Sequence, residues 1–482
     1  MADLTASDQE RIAALDATEQ AALVREGELT AEELVSTAIA RIERLNPTLN
    51  AVITTAFDEA LATVKDGTPT GPLGGVPILM KDLVVEVKGM RFCEGSRFLR
   101  DNVSTVDSEL VARLRRAGLV ILGKSNTSEF GMTPTVEPLL FGATRNPWDT
   151  DRTTGGSSGG SGAAVASGMV PVAHANDLGG SIRIPASCCG LFGLKPTRAR
   201  NPLGPVYGDI VGGLGAEHAL TRSVRDSAAL LDATSGPDLG DPYRPPVQPG
   251  PFVDEIRRDP RRLRVAYTSV PAGGRSVHRD CRTAVVDAAA LCEELGHHVF
   301  ERDLVELTPE VNDAIGVVWR STLAWLVRYW VNVLGREPEE DELEPYTAAY
   351  YERGRHVSAG EYLLAVTQLQ AFSRRVAAAY RDFDVWLSPT LAQPPLPLGA
   401  MTSTKSEPFA GIEEVDNFVA FPLVVANVTG CPAMSVPLFW SSSGLPIGVN
   451  FMARFGHEHT LFRLAGQLEQ ARPWGFRRPP VW

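Results

Sequence analysis

Two serines that each follow a Gly-Gly pair are the residues best suited to chemistry in this chain. Ser157 lies in Gly155-Gly-Ser-Ser-Gly-Gly-Ser-Gly162, and Ser181 lies 24 residues later in Asp177-Leu-Gly-Gly-Ser-Ile-Arg-Ile-Pro185. Glycine lets the backbone turn sharply and approach a ligand closely. One such turn alone is more often a simple chain reversal. Two of them indicate serine hydroxyls presented beside backbone amides, a setting for attack on a carbonyl group.

A lysine in an apolar segment supplies a candidate base. Lys81 lies within Val76-Pro-Ile-Leu-Met-Lys-Asp-Leu-Val-Val85, in a chain with only six lysines against forty arginines. Burying a charged amine is unfavourable. One interpretation is therefore an ion pair with Asp82, or a long stem that carries the amine to water. The other is a buried amine of lowered pKa that acts as a general base for the two serines.

Other catalytic patterns are weaker. Gly155-Gly-Ser-Ser-Gly159 matches the GxSxG nucleophile turn of α/β-hydrolases, although no clear strand precedes it. The loop lacks the GK[ST] of a phosphate-binding loop, and the chain contains no Ser-x-x-Lys. It contains no HExxH and no CxxC pair among its six cysteines. No metal site or cofactor is therefore predicted.

Composition limits the remaining classes of function. The 482 residues are 44% hydrophobic and 22% charged, which predicts a large packed core. The net charge of −12 disfavours binding to nucleic acid or to an anionic membrane. The N-terminal residues lack the pattern of a signal peptide, and no apolar run reaches about 18 residues. We therefore expect a cytoplasmic protein with reduced thiols.

The elements that must position these residues alternate between helix and strand. Apolar periodicity predicts helices over residues 18–26, 30–46, 108–117, 163–167, 222–231, 282–295, 311–334, 359–380 and 459–471. Apolar runs predict strands over 78–85, 119–122, 263–267, 385–389, 435–437 and 447–452. Asp107 is the expected N-cap of the third helix. The alternation favours an α/β fold with a buried central sheet.

Longer motifs make the pattern specific. The stretch from Asn146-Pro-Trp148 through both Gly-Ser loops to Cys189-Gly-Leu-Phe-Gly-Leu-Lys-Pro-Thr197 resembles the amidase signature family. Gly75-Val-Pro-Ile-Leu-Met-Lys-Asp82 resembles its lysine strand, and Gly430-Cys-Pro-Ala-Met-Ser-Val-Pro437 and Gly444-Leu-Pro-Ile-Gly-Val449 resemble its C-terminal elements. The resemblance covers the chain from about residue 18 onward.

The resemblance implies a Ser–cis-Ser–Lys triad. Carried over position by position, Ser181 is the nucleophile, Ser157 is the bridging serine after a cis peptide bond, and Lys81 is the base. Neutral Lys81 would withdraw the proton of Ser181 through Ser157 and pass it to the leaving amine. No metal or cofactor takes part in this mechanism.

The resemblance also implies the surroundings of the triad. Four consecutive backbone amides would form the oxyanion hole, namely those of Leu178, Gly179, Gly180 and Ser181. Asp177 and Arg183 are expected to brace this loop rather than to react. Pocket walls in the family come from its variable half, and the candidate substrate-binding residues here are Gly131, Met132 and Trp319. The alternative for the tryptophan is an ordinary core position.

The resemblance implies one domain over residues 1–482 with the α/β amidase signature fold, in which helices flank both sides of a large mixed, twisted β-sheet. It comprises a helical N-terminal arm to about residue 70, a signature core over 71–235, a variable pocket region over 252–400 and C-terminal core elements over 401–482. A small-molecule substrate is expected, with no nucleic-acid or membrane partner. The oligomeric state is left open between a monomer and a homodimer.

The implied activity is hydrolysis of small or linear apolar carboxylic amides through an acyl-serine intermediate. Ala143-Thr-Arg-Asn-Pro-Trp148 and Ala173-His-Ala-Asn-Asp177 resemble family members that hydrolyse nylon-type oligomers. Aryl and alkyl carbamates (urethanes) are further candidate substrates. The alternative is the A subunit of a glutamine-dependent aminoacyl-tRNA amidotransferase, which the charge of −12 disfavours. The intact triad positions disfavour an inactive binding scaffold.

Overall fold

The computed structural model describes residues 5–271, 274–303, 305 and 307–482, so the first four residues of the predicted N-terminal arm lie outside it. The helices are α1 (Ala6–Ala14), α2 (Ala17–Glu26), α3 (Ala31–Leu49), α4 (Phe57–Lys65), α5 (Glu109–Arg116), α6 (Gly159–Ala166), α7 (Arg183–Cys189), α8 (Val224–Thr234), α9 (Phe252–Glu255), α10 (Arg279–Glu294), α11 (Pro309–Leu334), α12 (Pro345–Arg355), α13 (Ala359–Ala379), α14 (Ile412–Phe418), α15 (Val424–Thr429) and α16 (Glu458–Ala471). The strands are β1 (Val52–Thr55), β2 (Pro77–Lys81), β3 (Val120–Ser125), β4 (Arg145–Asn146), β5 (Asp149–Thr153), β6 (Val172–Asp177), β7 (Phe192–Lys195), β8 (Ala216–Thr221), β9 (Arg264–Tyr267), β10 (His298–Glu301), β11 (Val385–Pro389), β12 (Ala433–Trp440) and β13 (Pro446–Ala453).

One large mixed sheet organises the molecule. Within the described residues it has eleven strands in the order β1-β3-β2-β6-β8-β7-β12-β13-β11-β9-β10, while β4 and β5 form a separate hairpin. Strand β2 pairs in parallel with both β3 and β6, and β9 pairs in parallel with both β10 and β11. The other neighbouring strands are antiparallel. The predicted α/β fold with a mixed sheet is confirmed.

Helices cover both faces of the sheet. Successive side chains of a strand point to opposite faces. In β2, Leu79 belongs to the apolar cluster that includes α3 and α6. Ile78 and Met80 belong to the cluster that includes α2 and α5. The predicted helical layers on both sides are therefore present.

Three adjacent parallel strands place the predicted catalytic residues at one edge of the sheet. Parallel strands end at the same edge, and Lys81, the last residue of β2, lies in register with Ser125, the last residue of β3. Strand β6 ends there as well, at Asp177, and the chain continues directly to Ser181. A helix between parallel strands runs back across the sheet, so the N-terminus of α6 also lies at this edge. Ser157 lies two residues before that helix.

Strands β2 and β3 end at positions that the sequence did not predict. Strand β2 ends at Lys81 rather than at Val85, because Val84 adopts a left-handed conformation with φ of 67° and turns the chain away from the sheet. Strand β3 continues through Gly123 to Ser125 instead of stopping at Leu122. A side chain at Gly123 would lie 2.0 Å from the Thr54 carbonyl oxygen, so this glycine allows β1 to pair closely rather than ending the strand.

Helices α3 and α5 also have boundaries that differ from the prediction. Helix α3 runs past Pro47 to Leu49, since the missing N–H of a proline removes only one bond in the final turn. The Asn46 carboxamide then accepts the N–H groups of the residues that follow the helix. Helix α5 begins after Ser108, and Asp107 is not its cap. The Asp107 carboxylate instead accepts the backbone N–H of Lys88, at 2.8 Å.

The aromatic-rich segment over 311–334 forms a single long helix, as predicted. Helix α11 spans Pro309–Leu334 and buries one side against the body, with Leu323 and Trp330 in the core. Its Trp325 remains 43% exposed. In the part of the chain that the structure describes, no helix is both long enough and apolar enough to cross a membrane.

Candidate active site

Lys81 lies at the carboxyl end of β2 and is completely buried. Its amine donates hydrogen bonds to Ser157 Oγ at 2.8 Å and to Asn176 Oδ1 at 2.6 Å. Burial lowers the pKa of Lys81 to about 7, although the carboxylates of Glu217 and Asp177 act in the opposite direction. The amine can therefore accept a proton near neutral pH, directly beside a serine hydroxyl.

One interpretation of the sequence was an ion pair between Lys81 and Asp82, and the structure does not contain this pair. The Asp82 carboxylate lies 4.0 Å from the amine of Lys124, a second buried lysine, and accepts the backbone N–H of Cys93 at 3.1 Å. The Lys124 amine also donates to the carbonyl of Val85 at 2.9 Å. Because Asp82 serves this other lysine, no carboxylate at ion-pair distance holds the Lys81 amine in its charged form within the described residues.

Ser157 lies buried at the N-terminus of α6, next to the Lys81 amine. The Gly156–Ser157 peptide bond is cis, as the resemblance implied. A side chain at Gly156 would lie 2.7 Å from the carbonyl oxygen of Thr133, so only glycine fits there. Ser161 fixes the helix to the sheet through hydrogen bonds of 2.7 Å to the Ser125 hydroxyl and to a carbonyl of β6. These contacts hold Ser157 at the sheet edge.

Ser181 lies in the short segment between β6 and α7. Its side chain is partly exposed, in contrast to the buried Lys81 and Ser157. The backbone N–H groups of Gly179, Gly180 and Ser181 donate to no other residue that the structure describes. Adjacent free amides can bind an oxygen on which negative charge develops. The partly exposed Ser181 therefore lies beside backbone N–H groups that can bind an oxyanion.

A buried ion pair braces this segment from behind. Arg183 donates two hydrogen bonds to the Asp177 carboxylate, at 2.9 and 3.0 Å. The carboxamide of Asn427 donates to Asp177 and accepts from Arg183. Burial alone would raise the pKa of Asp177, but the Arg183 charge and hydrogen bonds hold it at about 2. The two residues occupy the bracing position that the resemblance assigned to them.

We expect Arg183→Met to lower the free energy of unfolding by about 3–5 kcal/mol, because it leaves the buried Asp177 charge unpaired. Urea unfolding monitored by tryptophan fluorescence measures the change. The control is Arg355→Met, which removes an exposed pair with Glu352 and should change the free energy by less than about 1 kcal/mol. Equal effects of the two changes would contradict the bracing role. Wild-type stability should also fall as the pH drops from 3.8 towards about 2, since the unfolded chain takes up a proton at Asp177 in this range while the folded chain does not.

Three polar residues next to Lys81 were not singled out from the sequence. Besides Asn176, these are His174 and Glu217. The backbone N–H of Lys81 donates to His174 Nδ1 at 3.3 Å, and His174 Nε2 lies 2.7 Å from a Glu217 carboxylate oxygen. An accepting Nδ1 leaves the ring proton on Nε2, and burial lowers the pKa of His174, so the ring is neutral. His174 and Asn176 are the two polar residues in the otherwise apolar stretch 172–176, and this pattern could have identified them from the sequence.

The candidate pocket residues lie around the same segment. A side chain at Gly131 would come within 3.2 Å of Ser157 Oγ, which places this glycine beside the bridging hydroxyl. Met132 and Trp319 line an apolar cavity together with Leu178. The Trp319 ring also packs on Gly179, where an added side chain would lie 3.0 Å from it. The structure thus brings the three sequence-predicted pocket residues to the two Gly-Ser loops.

A known protein family matches a segment of the chain that includes Lys81 and both Gly-Ser loops. The family model described as Amidase matches residues 33–462. The chain belongs to the amidase signature family, which confirms the prediction of an enzyme that hydrolyses amide bonds.

Individual relatives match over almost the whole chain. The 6-aminohexanoate-cyclic-dimer hydrolase of Paenarthrobacter ureafaciens is 38% identical over 484 residues, which cover 97% of this chain and 96% of the relative. The solved structure of a 6-aminohexanoate cyclic dimer hydrolase complexed with substrate has a TM-score of 0.92 at 37% identity and covers 97% of this chain and 99% of that one. A bacterial aryl acylamidase of the same family has a TM-score of 0.86 at 28% identity, with 95% and 96% covered.

Proposed function

We propose that this enzyme hydrolyses small or linear apolar carboxylic amides through an acyl-serine intermediate, with Ser181 as nucleophile, Ser157 as bridge and Lys81 as base. The observation that carries the proposal is the hydrogen bond of 2.8 Å between the buried, low-pKa amine of Lys81 and Ser157, at the sheet edge where Ser181 follows β6. A lysine is an effective base only when it is neutral at the working pH.

The proposed reaction starts with transfer of the Ser181 proton through Ser157 to the neutral Lys81 amine. The Ser181 oxygen forms a bond to the substrate carbonyl carbon, and the amides of residues 178–181 bind the resulting oxyanion. The proton then passes to the leaving amine as the C–N bond breaks. Water attacks the acyl-serine with the same relay, which releases the acid and restores Ser181.

The proposed substrates follow from the apolar cavity beside Leu178 and from the names of the relatives. Aminohexanoate oligomers consist of methylene chains between amide groups, which suit a wall that contains Met132, Leu178 and Trp319. Anilides are candidates because a related structure is an aryl acylamidase. Aryl and alkyl carbamates are further candidates, since their carbonyl group can acylate a serine in the same way.

The GxSxG alternative, with Ser157 as nucleophile, receives less support. A nucleophile turn exposes its serine at the end of a strand of the main sheet. Ser157 is buried, and the preceding strand, β5, belongs to the separate hairpin with β4. Its Oγ accepts a hydrogen bond from Lys81, which suits a bridging role. Ser181 is the partly exposed serine of the two.

The function is tested by measuring amine release from anilides, linear and cyclic aminohexanoate oligomers, and aryl carbamates. Turnover of one or more of these compounds supports an acyl-serine hydrolase and ranks amides against carbamates. Failure to turn over any member, combined with hydrolysis of glutamine to ammonia, would favour the amidotransferase A subunit. Purification from the source cells with partner subunits would favour it further.

The pH dependence of turnover should respond to Asn176, whose amide oxygen contacts the Lys81 amine. Asn176→Asp places a carboxylate there, and the negative charge stabilises the protonated amine. We expect the midpoint of the pH–kcat/KM profile to rise by about 1–3 pH units. The control, Asn312→Asp on the exposed side of α11, should leave the midpoint unchanged. A midpoint that does not rise would show that Lys81 is not the titrating base.

A further inference from the structure

Glu94 is a buried carboxyl group in the wall of the apolar cavity beside Leu178. The residue is 1% exposed. One of its oxygens accepts the Val84 N–H at 3.3 Å, and the other accepts the indole N–H of Trp330 at 3.0 Å. A carboxylate can accept about four hydrogen bonds, so acceptor capacity remains on both oxygens. No Lys or Arg of the described residues forms an ion pair with it.

Tyr207 contributes a second polar atom to the same cavity wall. The residue is 7% exposed, and its hydroxyl has no hydrogen-bond partner among the residues that the structure describes. Its ring packs against Trp325 and Tyr329, with ring centroids 5.7 and 6.0 Å apart. A buried hydroxyl without a partner is unfavourable, so its presence in a cavity indicates that a ligand atom completes the bond.

The cavity that contains these two polar groups borders the reacting centre. Leu83 and Leu178 both line it. Leu83 lies 2.6 Å from the position of a side chain added at Gly131, the glycine beside Ser157 Oγ, and Leu178 opens the segment that leads to Ser181. The remaining wall is mostly apolar and includes Ile210, Val211 and Leu326. An acyl chain bound at Ser181 would meet the cavity at Leu178, on the same wall that carries Glu94 and Tyr207.

The backbone fixes Glu94 in this position. Glu94 and Val84 both adopt left-handed conformations, with φ of 49° and 67°, which are rare for residues with a side chain. The hydrogen bond from Val84 to the Glu94 carboxylate joins the two. Such conformations persist where the surroundings enforce them, and they cluster at ligand sites. The carboxylate is thus held in place before any substrate arrives.

The charge around Glu94 favours a cationic or hydrogen-bond-donating ligand. Burial raises the pKa of Glu94 to about 7, and the nearby carboxylates of Asp82 and Glu86 act in the same direction. A positive charge placed beside it would lower that pKa again and restore the ionised carboxylate. An ammonium group therefore supplies the positive charge that Glu94 lacks in this wall of the cavity.

We propose that Glu94 and Tyr207 recognise an N–H donor, an ammonium or an amide N–H, carried by the acyl chain of the substrate away from the scissile bond. The proposal rests on the proposed function and narrows its substrates to ω-amino acyl amides. The donor gives its hydrogen bond to the Glu94 carboxylate, and the Tyr207 hydroxyl completes the contact. An acyl chain that ends in a methyl group leaves both polar groups without a partner.

The test compares three anilides with wild type, Glu94→Gln and Tyr207→Phe. The 6-aminohexanoyl anilide carries an ammonium group, the 6-acetamidohexanoyl anilide carries an amide N–H, and the heptanoyl anilide carries no donor. We expect wild-type kcat/KM to be about 10- to 100-fold higher for the two donors than for the heptanoyl compound. Glu94→Gln should remove most of the preference for the ammonium and change heptanoyl turnover by less than about threefold. Tyr207→Phe should reduce the preference for both donors.

A wild-type enzyme without preference for the donors would overturn the proposal. So would a Glu94→Gln variant that slows all three anilides equally, because a structural role acts on every substrate alike. If Glu94→Gln fails to fold, the test relies on Tyr207→Phe. A ratio of kcat/KM between the donor-bearing anilides and the heptanoyl anilide that is the same in Tyr207→Phe as in wild type then counts against the proposal. If wild type cleaves neither these anilides nor any other amide or carbamate of the panel, the proposed function fails instead. Calorimetry with 6-aminohexanamide and heptanamide then still tests the recognition, and equal affinities would overturn it.

Discussion

The Ser181→Ala variant is expected to lose about 10⁴- to 10⁶-fold in kcat/KM on every amide that the wild type hydrolyses. Ser181 has the partly exposed hydroxyl of the proposed triad, and it stands beside the free amides of Gly179 and Gly180. Without this oxygen no acyl-enzyme can form, and only binding and the oxyanion donors continue to assist attack by water. Initial rates of amine release measure the loss, and mass spectrometry of the intact protein measures the acyl adduct.

The matched control for this change is Ser167→Ala. Ser167 is buried at the C-terminal end of α6, and its hydroxyl donates to the helix carbonyls of Ala163 and Ala164, at 2.7 and 3.4 Å. We expect this variant to retain kcat/KM within about threefold. Substantial turnover by Ser181→Ala, with an acyl adduct on Ser157, would contradict the nucleophile assignment and favour the GxSxG alternative.

The Lys81→Met variant is expected to lose about 10⁴-fold in kcat, and the wild-type pH profile should show the reason. A base works only when it is deprotonated. The pKa of Lys81 is lowered to about 7. Wild-type kcat/KM should therefore rise about tenfold per pH unit below 7 and level off above it. Initial rates of amine release, measured in steps of about one pH unit from about pH 5 to about pH 9, give the profile.

Lys195 provides a stringent control for that assignment. It is also buried, and burial together with the Arg183 charge lowers its pKa to about 7. Its amine donates to the carbonyl of Pro196 at 2.7 Å and contacts neither serine of the proposed triad. Lys195→Met should leave the midpoint of the profile near that of wild type. A midpoint that disappears in this variant, or a wild-type midpoint near that of a free lysine, would refute Lys81 as the base.

Residue type and local spacing alone determined which groups can react. Lys81 in an apolar segment is costly unless it is neutral, and that cost is visible in the sequence itself. Gly156 precedes Ser157 because no side chain fits there, so the glycine pattern records a close contact. The alternation of helical and strand periods likewise predicted α/β layers around a buried central sheet, since burial of each face depends on local repeats.

Only the tertiary structure decided how these groups meet. The Lys81 amine and Ser157 are 76 residues apart, and Asn427 braces Asp177 from 250 residues away. Such contacts depend on strand order and on the shared edge of β3, β2 and β6, which no local pattern encodes. The end of β2 at Lys81 also depends on a contact outside the strand, since the Val84 N–H in the following turn donates to the Glu94 carboxylate ten residues later.

The cavity beside the catalytic residues is a second feature that the tertiary structure decided and the sequence did not. Glu94 and Tyr207 are unremarkable in the sequence, because a single glutamate or tyrosine in a loop carries no periodic signal. Folding places both in one apolar wall with α11, where burial changes the pKa of the carboxyl and leaves the hydroxyl without a partner. The sequence determined the chemistry at the scissile bond because it depends on residue type. The tertiary structure decided the candidate specificity site because desolvation and proximity arise only when distant segments pack together.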